Sequence, residues 1–186
     1  RLLILGAAVL VPSGLALRAG SSSIWDLPRL LSGVYQWSEE TIRTRDPGST
    51  GRETLLVLQG RETIVSVEKD ADTVYVKGGG KVEGSVPAEP GRPSQADLPT
   101  QLLLGVLPGF LAPGGTAAVI GLGSGTTLGA AYRSGLGGID LLEIEPEFLR
   151  ALTLEPARKY FDPVLGVALG SPKVRLWTGD ARVLLA

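Results

Sequence analysis

The sequence has no histidine, no cysteine and no methionine in 186 residues. Without histidine there can be no Ser-His-Asp relay and no His-containing zinc motif, and the commonest neutral-pH general base is missing. Without cysteine there are no disulfides and no thiolate metal sites, so no metal centre is expected. Chemistry is left to carboxylates, hydroxyls, backbone amides, Lys, Arg and Tyr. Aromatics are scarce, at 5%. Charge of either sign is never concentrated. The formal net charge is −1, and no block of like charges occurs, so no nucleic-acid partner is expected. A chain that starts at Arg1 and lacks methionine is expected to be a piece of a longer protein. Arginine outnumbers lysine, and glycine and alanine are abundant, as in a GC-rich bacterial source.

What is present begins with apolar surface. Hydrophobic residues make up 44% of the chain, enough for a packed core. The most apolar stretch, Leu2–Leu17, is shorter than the roughly 20 residues a spanning helix needs. It reads as the end of a transmembrane helix, as a signal segment or as an ordinary buried segment, and residues 1–20 are set apart on that basis. Residues 21–50 carry Trp25, Tyr35 and Trp37 without a clear period and read as an irregular connector. Residues 51–95 hold four short alternating runs, at 53–58, 61–69, 72–78 and 81–86, punctuated by turn residues. That pattern predicts an antiparallel meander followed by the Pro/Gly-rich linker Pro87–Gln95.

Residues 96–186 change character. Asp97 is placed to cap a helix over 98–107 with Pro99 in its first turn. Leu102, Leu103, Val106 and Leu107 fall on one face of it, which predicts a packing face. From Thr116 onward the order is strand, glycine turn, helix, strand, helix, strand. The strands are expected at 116–122, 139–145 and 174–180. Such alternation with short loops predicts a parallel sheet. The expected fold class is therefore α/β, an incomplete Rossmann-like, methyltransferase-type parallel sheet preceded by a small antiparallel β domain.

Ligands of such sheets gather at the C-terminal ends of the strands. Gly121, Gly123 and Gly125 follow the first strand, Glu143 and Glu145 end the second, and Asp180 ends the third. A glycine turn opening a helix exposes backbone N–H groups and partial positive charge. The spacing G-x-G-x-G departs from the dinucleotide fingerprint, G-x-G-x-x-G, and suits a nucleoside. An acidic residue about 20 positions on can take both ribose hydroxyls. Glu143 is better spaced for this than Glu145, although strand alternation puts both on one face. Asp180 can receive the amino group of an adenine.

The runs VIGLGSGTTLGAA, IDLLEIEPEFLRA, ARKYFDP and SPKVRLWTGDARVLL resemble the spermidine synthases, or polyamine aminopropyltransferases, over residues 50–186. IWDLPRLLSGVYQW and DLPTQLLLGVLPGFL resemble a bacterial subgroup fused to a membrane segment. The resemblance implies decarboxylated S-adenosylmethionine as aminopropyl donor and a polyamine such as putrescine as acceptor, with no permanently bound cofactor. It implies that Gly121, Gly123, Ser124 and Gly125 line the donor, that Glu143 holds its ribose and that Asp180 and Ala181 hold its adenine. Gln101 falls among the acceptor-side positions. A cytoplasmic catalytic domain, a parent anchored in the bacterial inner membrane and a homodimer are the corresponding expectations.

Several positions depart from that family. Ser124 stands where its glycine motif carries an aspartate facing the donor's ammonium. Thr100, Gln101 and Leu102 stand where it has a tyrosine and a glutamate. Its catalytic aspartate follows a fourth strand, beyond Ala186, so no catalytic residue is expected here and the piece alone is expected to be inactive. Two other functions fit the same residues: a methyltransferase using S-adenosylmethionine, whose carboxylate the uncharged Ser124 would tolerate, and a non-catalytic nucleoside-sensing domain of a membrane protein.

Overall fold

The computed structural model describes residues 27–33, 38–44, 51–91 and 97–186. The stretch Leu2–Leu17, with all three readings of it, lies outside the described residues, as do residues 92–96 of the linker. Among the described residues no helix is long and apolar enough to cross a membrane. The chain divides into two units after Thr50.

Where the sequence suggested only an irregular connector, the described residues of the first unit form two short helices, α1 (Leu27–Leu31) and α2 (Glu39–Thr44). Pro28 sits in the first turn of α1, where its missing N–H is not needed. Ser38 caps α2, its hydroxyl accepting from the Thr41 N–H at 3.2 Å, and Glu39 and Glu40 occupy the positive end of the helix.

The second unit opens with the meander: β1 (Glu53–Gln59), β2 (Ile64–Lys69), β3 (Thr73–Gly78) and β4 (Lys81–Pro87), antiparallel in the order β1-β2-β3-β4. Its turns follow from their residues. Asp70 accepts the N–H groups of Asp72 and Thr73 at 3.1 and 2.9 Å, an Asx turn. Gly79 and Gly80 both have positive φ, as a two-residue type I′ hairpin requires. Val65, Val67, Val74, Val76 and Val86 are buried and share a core with Phe148, Leu152 and Phe161 of the helices that follow. On the alternate positions Ser66, Glu68, Lys77 and Ser85 are also buried, so neither face is a solvated one.

Next come α3 (Leu98–Leu111), β5 (Thr116–Ile120), α4 (Thr126–Arg133), β6 (Gly138–Glu143), α5 (Glu147–Thr153), α6 (Arg158–Leu165), a 3-10 turn (Ala168–Gly170), β7 (Val174–Thr178) and α7 (Ala181–Leu184). The sheet is parallel in the order β5-β6-β7, as the alternation of elements predicts. Val119, Ile139 and Leu141 are buried in a core with Leu128, Ala131 and Leu165. Ile120 and Trp177, in register across Leu142, are instead exposed.

Two expectations about α3 change. Asp97 makes no side-chain cap; only its carbonyl is used, by the Gln101 N–H at 2.9 Å. The leucine face points outward: Leu102, Leu103 and Leu107 are 42–60% exposed. The face turned to α4 holds Gly105 and Gly109, both buried. A Cβ on Gly105 would lie 2.5 Å from the Ala130 methyl, and one on Gly109 would lie 2.1 Å from the Ser134 carbonyl oxygen. Backbone proximity decides which face packs, so the apolar period alone misleads. Gly109→Ala is therefore expected to destabilise by about 1–3 kcal/mol through overpacking, despite a helix-propensity gain of up to about 1 kcal/mol. Gly170→Ala, with open space around it, is the neutral control. Urea denaturation of both checks this, and equal midpoints would contradict it.

Candidate functional site

The tips of β5 and β6 and the strand β4 enclose a cavity of about 500 Å³. A second cavity, of about 410 Å³, lies at the tips of β5, β6 and β7. Ile120, Gly121, Glu143 and Ile144 belong to both linings, so the cavities adjoin along one wall. Gly123, Ser124 and Gln101 line only the larger; Asp180 and Ala181 line only the smaller. The three strand tips thus meet at Glu143, in two adjoining lobes rather than one chamber.

The three turn glycines have different neighbours. All have positive φ, which suits glycine. Only Gly121 faces open space. A Cβ on Gly123 would lie 3.0 Å from the Glu83 carbonyl oxygen, because β4 crosses over the turn. Gly84 completes that crossing, a Cβ there lying 2.7 Å from the Ser124 nitrogen. Gly125 was expected to line the donor, but it lines neither cavity. Leu165 packs where its side chain would be, at 2.5 Å, and its N–H is taken by the Leu122 carbonyl at 2.8 Å. Gly125 therefore serves the packing of α4 against α6.

Glu143 ends β6 and is buried. Its Oε2 accepts the Leu122 N–H at 2.6 Å and its Oε1 the Glu145 N–H at 2.8 Å. A carboxylate has about four acceptor positions, so each oxygen keeps one for a ligand hydroxyl. β6 ends here, two residues earlier than expected, and this separates the two glutamates. Glu145 lies beyond the strand and turns its carboxylate to the β1–β2 turn. Its Oε2 accepts the N–H groups of Glu62 and Thr63 at 2.8 and 3.4 Å, and its Oε1 that of Glu147 at 3.1 Å. Burial pushes the Glu145 carboxyl up, but the Glu62, Glu147, Thr63 and Arg61 N–H groups outweigh burial and hold it below the ordinary range.

Ser124 is buried, its hydroxyl donating to Gln101 Oε1 at 2.9 Å and lying 2.9 Å from Thr126 Oγ1. The Thr127 hydroxyl donates to the Gln101 carbonyl at 3.2 Å. Gln101 is thus fixed with its amide NH2 as the group left for a ligand.

Asp180 caps α7, accepting the Arg182 N–H at 2.9 Å. The Arg182 guanidinium and N–H together hold its carboxyl down at about 2. Whatever this carboxylate contributes to stability is present above the ordinary aspartate pKa of about 3.9 and is lost only as pH falls through about 2. Arg182→Gln is expected to return the Asp180 pKa toward the ordinary value in an NMR titration; an unmoved pKa would rule out the guanidinium as its cause.

Residues not anticipated also line the larger lobe: Glu62 and Thr63 from the β1–β2 turn, Glu83 from β4 and Phe148 from α5. Lys81 donates to both oxygens of Glu83, at 3.1 and 3.3 Å, on the exposed side. Among the described residues no lysine or arginine lines this lobe. The available signal was Gly84, since a glycine inside a strand often marks a close backbone approach.

No family model and no curated protein matches the sequence. Solved structures do. The spermidine synthase from Thermotoga maritima superposes with a TM-score of 0.55 at 17% identity, over 71% of this chain and 42% of that one. A spermidine synthase in complex with the transition-state analogue AdoDATO gives a TM-score of 0.52 at 18% identity, over 67% and 39%. The chain thus spans about two-fifths of the length of these structures. It has the α/β, methyltransferase-like fold of the spermidine synthases, and at this identity the likeness is one of fold.

Proposed function

We propose that the paired lobes bind an adenosyl sulfonium donor for aminopropyl transfer, with decarboxylated S-adenosylmethionine as donor and an amine such as putrescine as acceptor. The observation that carries this is the larger lobe, whose lining includes Glu62, Glu83, Glu143 and Glu145 and, among the described residues, no lysine or arginine, with Lys81 paired to Glu83 on its exposed side. A ligand bearing sulfonium and ammonium charges fits such a lobe, and one bearing a carboxylate is repelled. The glycine turn and Glu143 suit a ribose, and the smaller lobe beside Asp180 and Ala181 suits an adenine. The fold shared with a spermidine synthase solved with a transition-state analogue points the same way.

In that reaction the amine nitrogen attacks the CH2 beside sulfur, a C–N bond forms as the C–S bond breaks, methylthioadenosine leaves, and the new ammonium loses a proton. Sulfonium is already a good leaving group. The protein's main contribution is alignment, for which about 7–11 kcal/mol of the barrier is available. The methyltransferase reading rested on an uncharged Ser124 beside a carboxylate, but that hydroxyl is already engaged by Gln101 and Thr126.

Calorimetry with the decarboxylated donor, with S-adenosylmethionine and with methylthioadenosine tests this. The decarboxylated donor is expected to bind at least about tenfold tighter than S-adenosylmethionine, a difference of about 1.4 kcal/mol. The opposite preference would favour the methyltransferase, and no binding of any of the three would refute the nucleoside site.

A further inference from the structure

Glu145 lies at the centre of a hydrogen-bond relay among residues that line the larger lobe. The Leu122 N–H, in the glycine turn, donates to Glu143, whose other oxygen takes the Glu145 N–H. The Glu145 side chain then takes the N–H groups of Glu62 and Thr63, residues far away in sequence that also line the lobe. The carboxylate is buried, and the chain closes tightly on it: a Cβ on Gly60 would lie 2.3 Å from Glu145 Oε2. Its lowered pKa agrees with an anion held by several N–H groups.

We infer that Glu145 is a positioning residue. By clasping the β1–β2 turn to the β6–α5 connection, it holds the Glu62 wall of the larger lobe at a set distance from the glycine turn. The inference rests on the reading of that lobe as the place of the donor's cationic tail. Glu145 acts on the tail through Glu62, whereas the nucleoside lobe, built on Gly121, Glu143 and Asp180, does not depend on the turn. An amide at position 145 keeps the size of the side chain but removes its charge and has one acceptor oxygen in place of two, so it cannot serve both the Glu62/Thr63 pair and the Glu147 N–H and the hold on the turn is weakened.

The test uses the full chain and its Glu145→Gln variant, titrated with methylthioadenosine and with decarboxylated S-adenosylmethionine. The variant is expected to lose about tenfold in affinity for the decarboxylated donor, the size of one weakened charged contact. Methylthioadenosine, which lacks the ammonium tail, is expected to bind within about twofold of the parent chain. A fall in Tm with the ratio of the two affinities unchanged would make Glu145 merely structural and overturn the inference. Hydrogen exchange of the unsubstituted chain gives a measurement that needs no variant. The Glu62 and Thr63 amides are expected to be protected, and rapid exchange at both would overturn the clasp. Failure of methylthioadenosine to bind the unsubstituted chain would instead defeat the nucleoside reading, leaving the exchange result to decide the clasp.

Discussion

Glu143→Ala is expected to abolish measurable nucleoside binding and to destabilise the fold by several kcal/mol. The substitution strips acceptors from two backbone donors at once, Leu122 N–H and Glu145 N–H, now held at 2.6 and 2.8 Å. Each buried donor left unpaired costs about 1–3 kcal/mol, so the sum is about 2–6 kcal/mol. The low end applies if cavity water reaches Leu122. The same carboxylate is the one feature common to both lobes that can take ribose hydroxyls, so its loss disconnects the adenine side from the tail side. Glu143→Gln separates the two effects. It retains one acceptor oxygen, so its stability loss should be smaller, while affinity for methylthioadenosine still falls by more than about tenfold. Urea denaturation and calorimetry on both variants give the readouts. A Glu143→Ala protein that is as stable as the parent and still binds methylthioadenosine would remove Glu143 from the site and the nucleoside reading with it.

The parallel sheet was legible because its punctuation is local: each strand is short and apolar, and a glycine turn or a proline follows at the expected place. The choice between Glu143 and Glu145 was not legible. Strand alternation puts both on one face, and only the end of β6 at Glu143 shows that one lines the wall between the lobes while the other reaches across to a distant turn. The turn glycines carried a similar ambiguity. Positive φ explains why glycine stands at all three, but what each glycine faces depends on long-range neighbours: Glu83 over Gly123, Leu165 over Gly125 and open space at Gly121. Glu62 and Glu83 were invisible as site residues because nothing local shows that β4 lies over the glycine turn or that the β1–β2 turn meets the β6–α5 connection. The α3 leucines misled for the opposite reason. Their period is clear, but a helix packs on whichever face lets backbones approach most closely, and here that face is Gly105 and Gly109.

The buried charges of the meander escape the alternation rule in the same way, and they set a stability effect comparable to that of Glu143→Ala. In β2 and β3 the valines alternate with Ser66, Glu68 and Lys77, a pattern that ordinarily means one face in water. Instead, Lys77 and Glu68 are 1% and 3% exposed, and the ammonium donates to both carboxylate oxygens at 3.0 Å. The Ser66 hydroxyl lies 3.5 Å from the same carboxylate. The attraction is strong in such surroundings, but so is the penalty for removing both ions from water, and the two nearly cancel. What does not cancel is half a pair. Lys77→Met is expected to cost about 3–5 kcal/mol, because Glu68 then stays buried without its cation. Adding Glu68→Leu should recover most of that loss, and the double variant should fall near the parent or above it by about 1–4 kcal/mol. A double-mutant cycle from urea denaturation measures the coupling. If Lys77→Met alone costs under about 1 kcal/mol, as for an exposed pair, then water reaches these groups and the face they occupy is a solvated one. A large loss with recovery in the double variant instead makes the pair a device of register: it joins β2, which follows the turn carrying Glu62, to β3, the neighbour of the strand carrying Glu83.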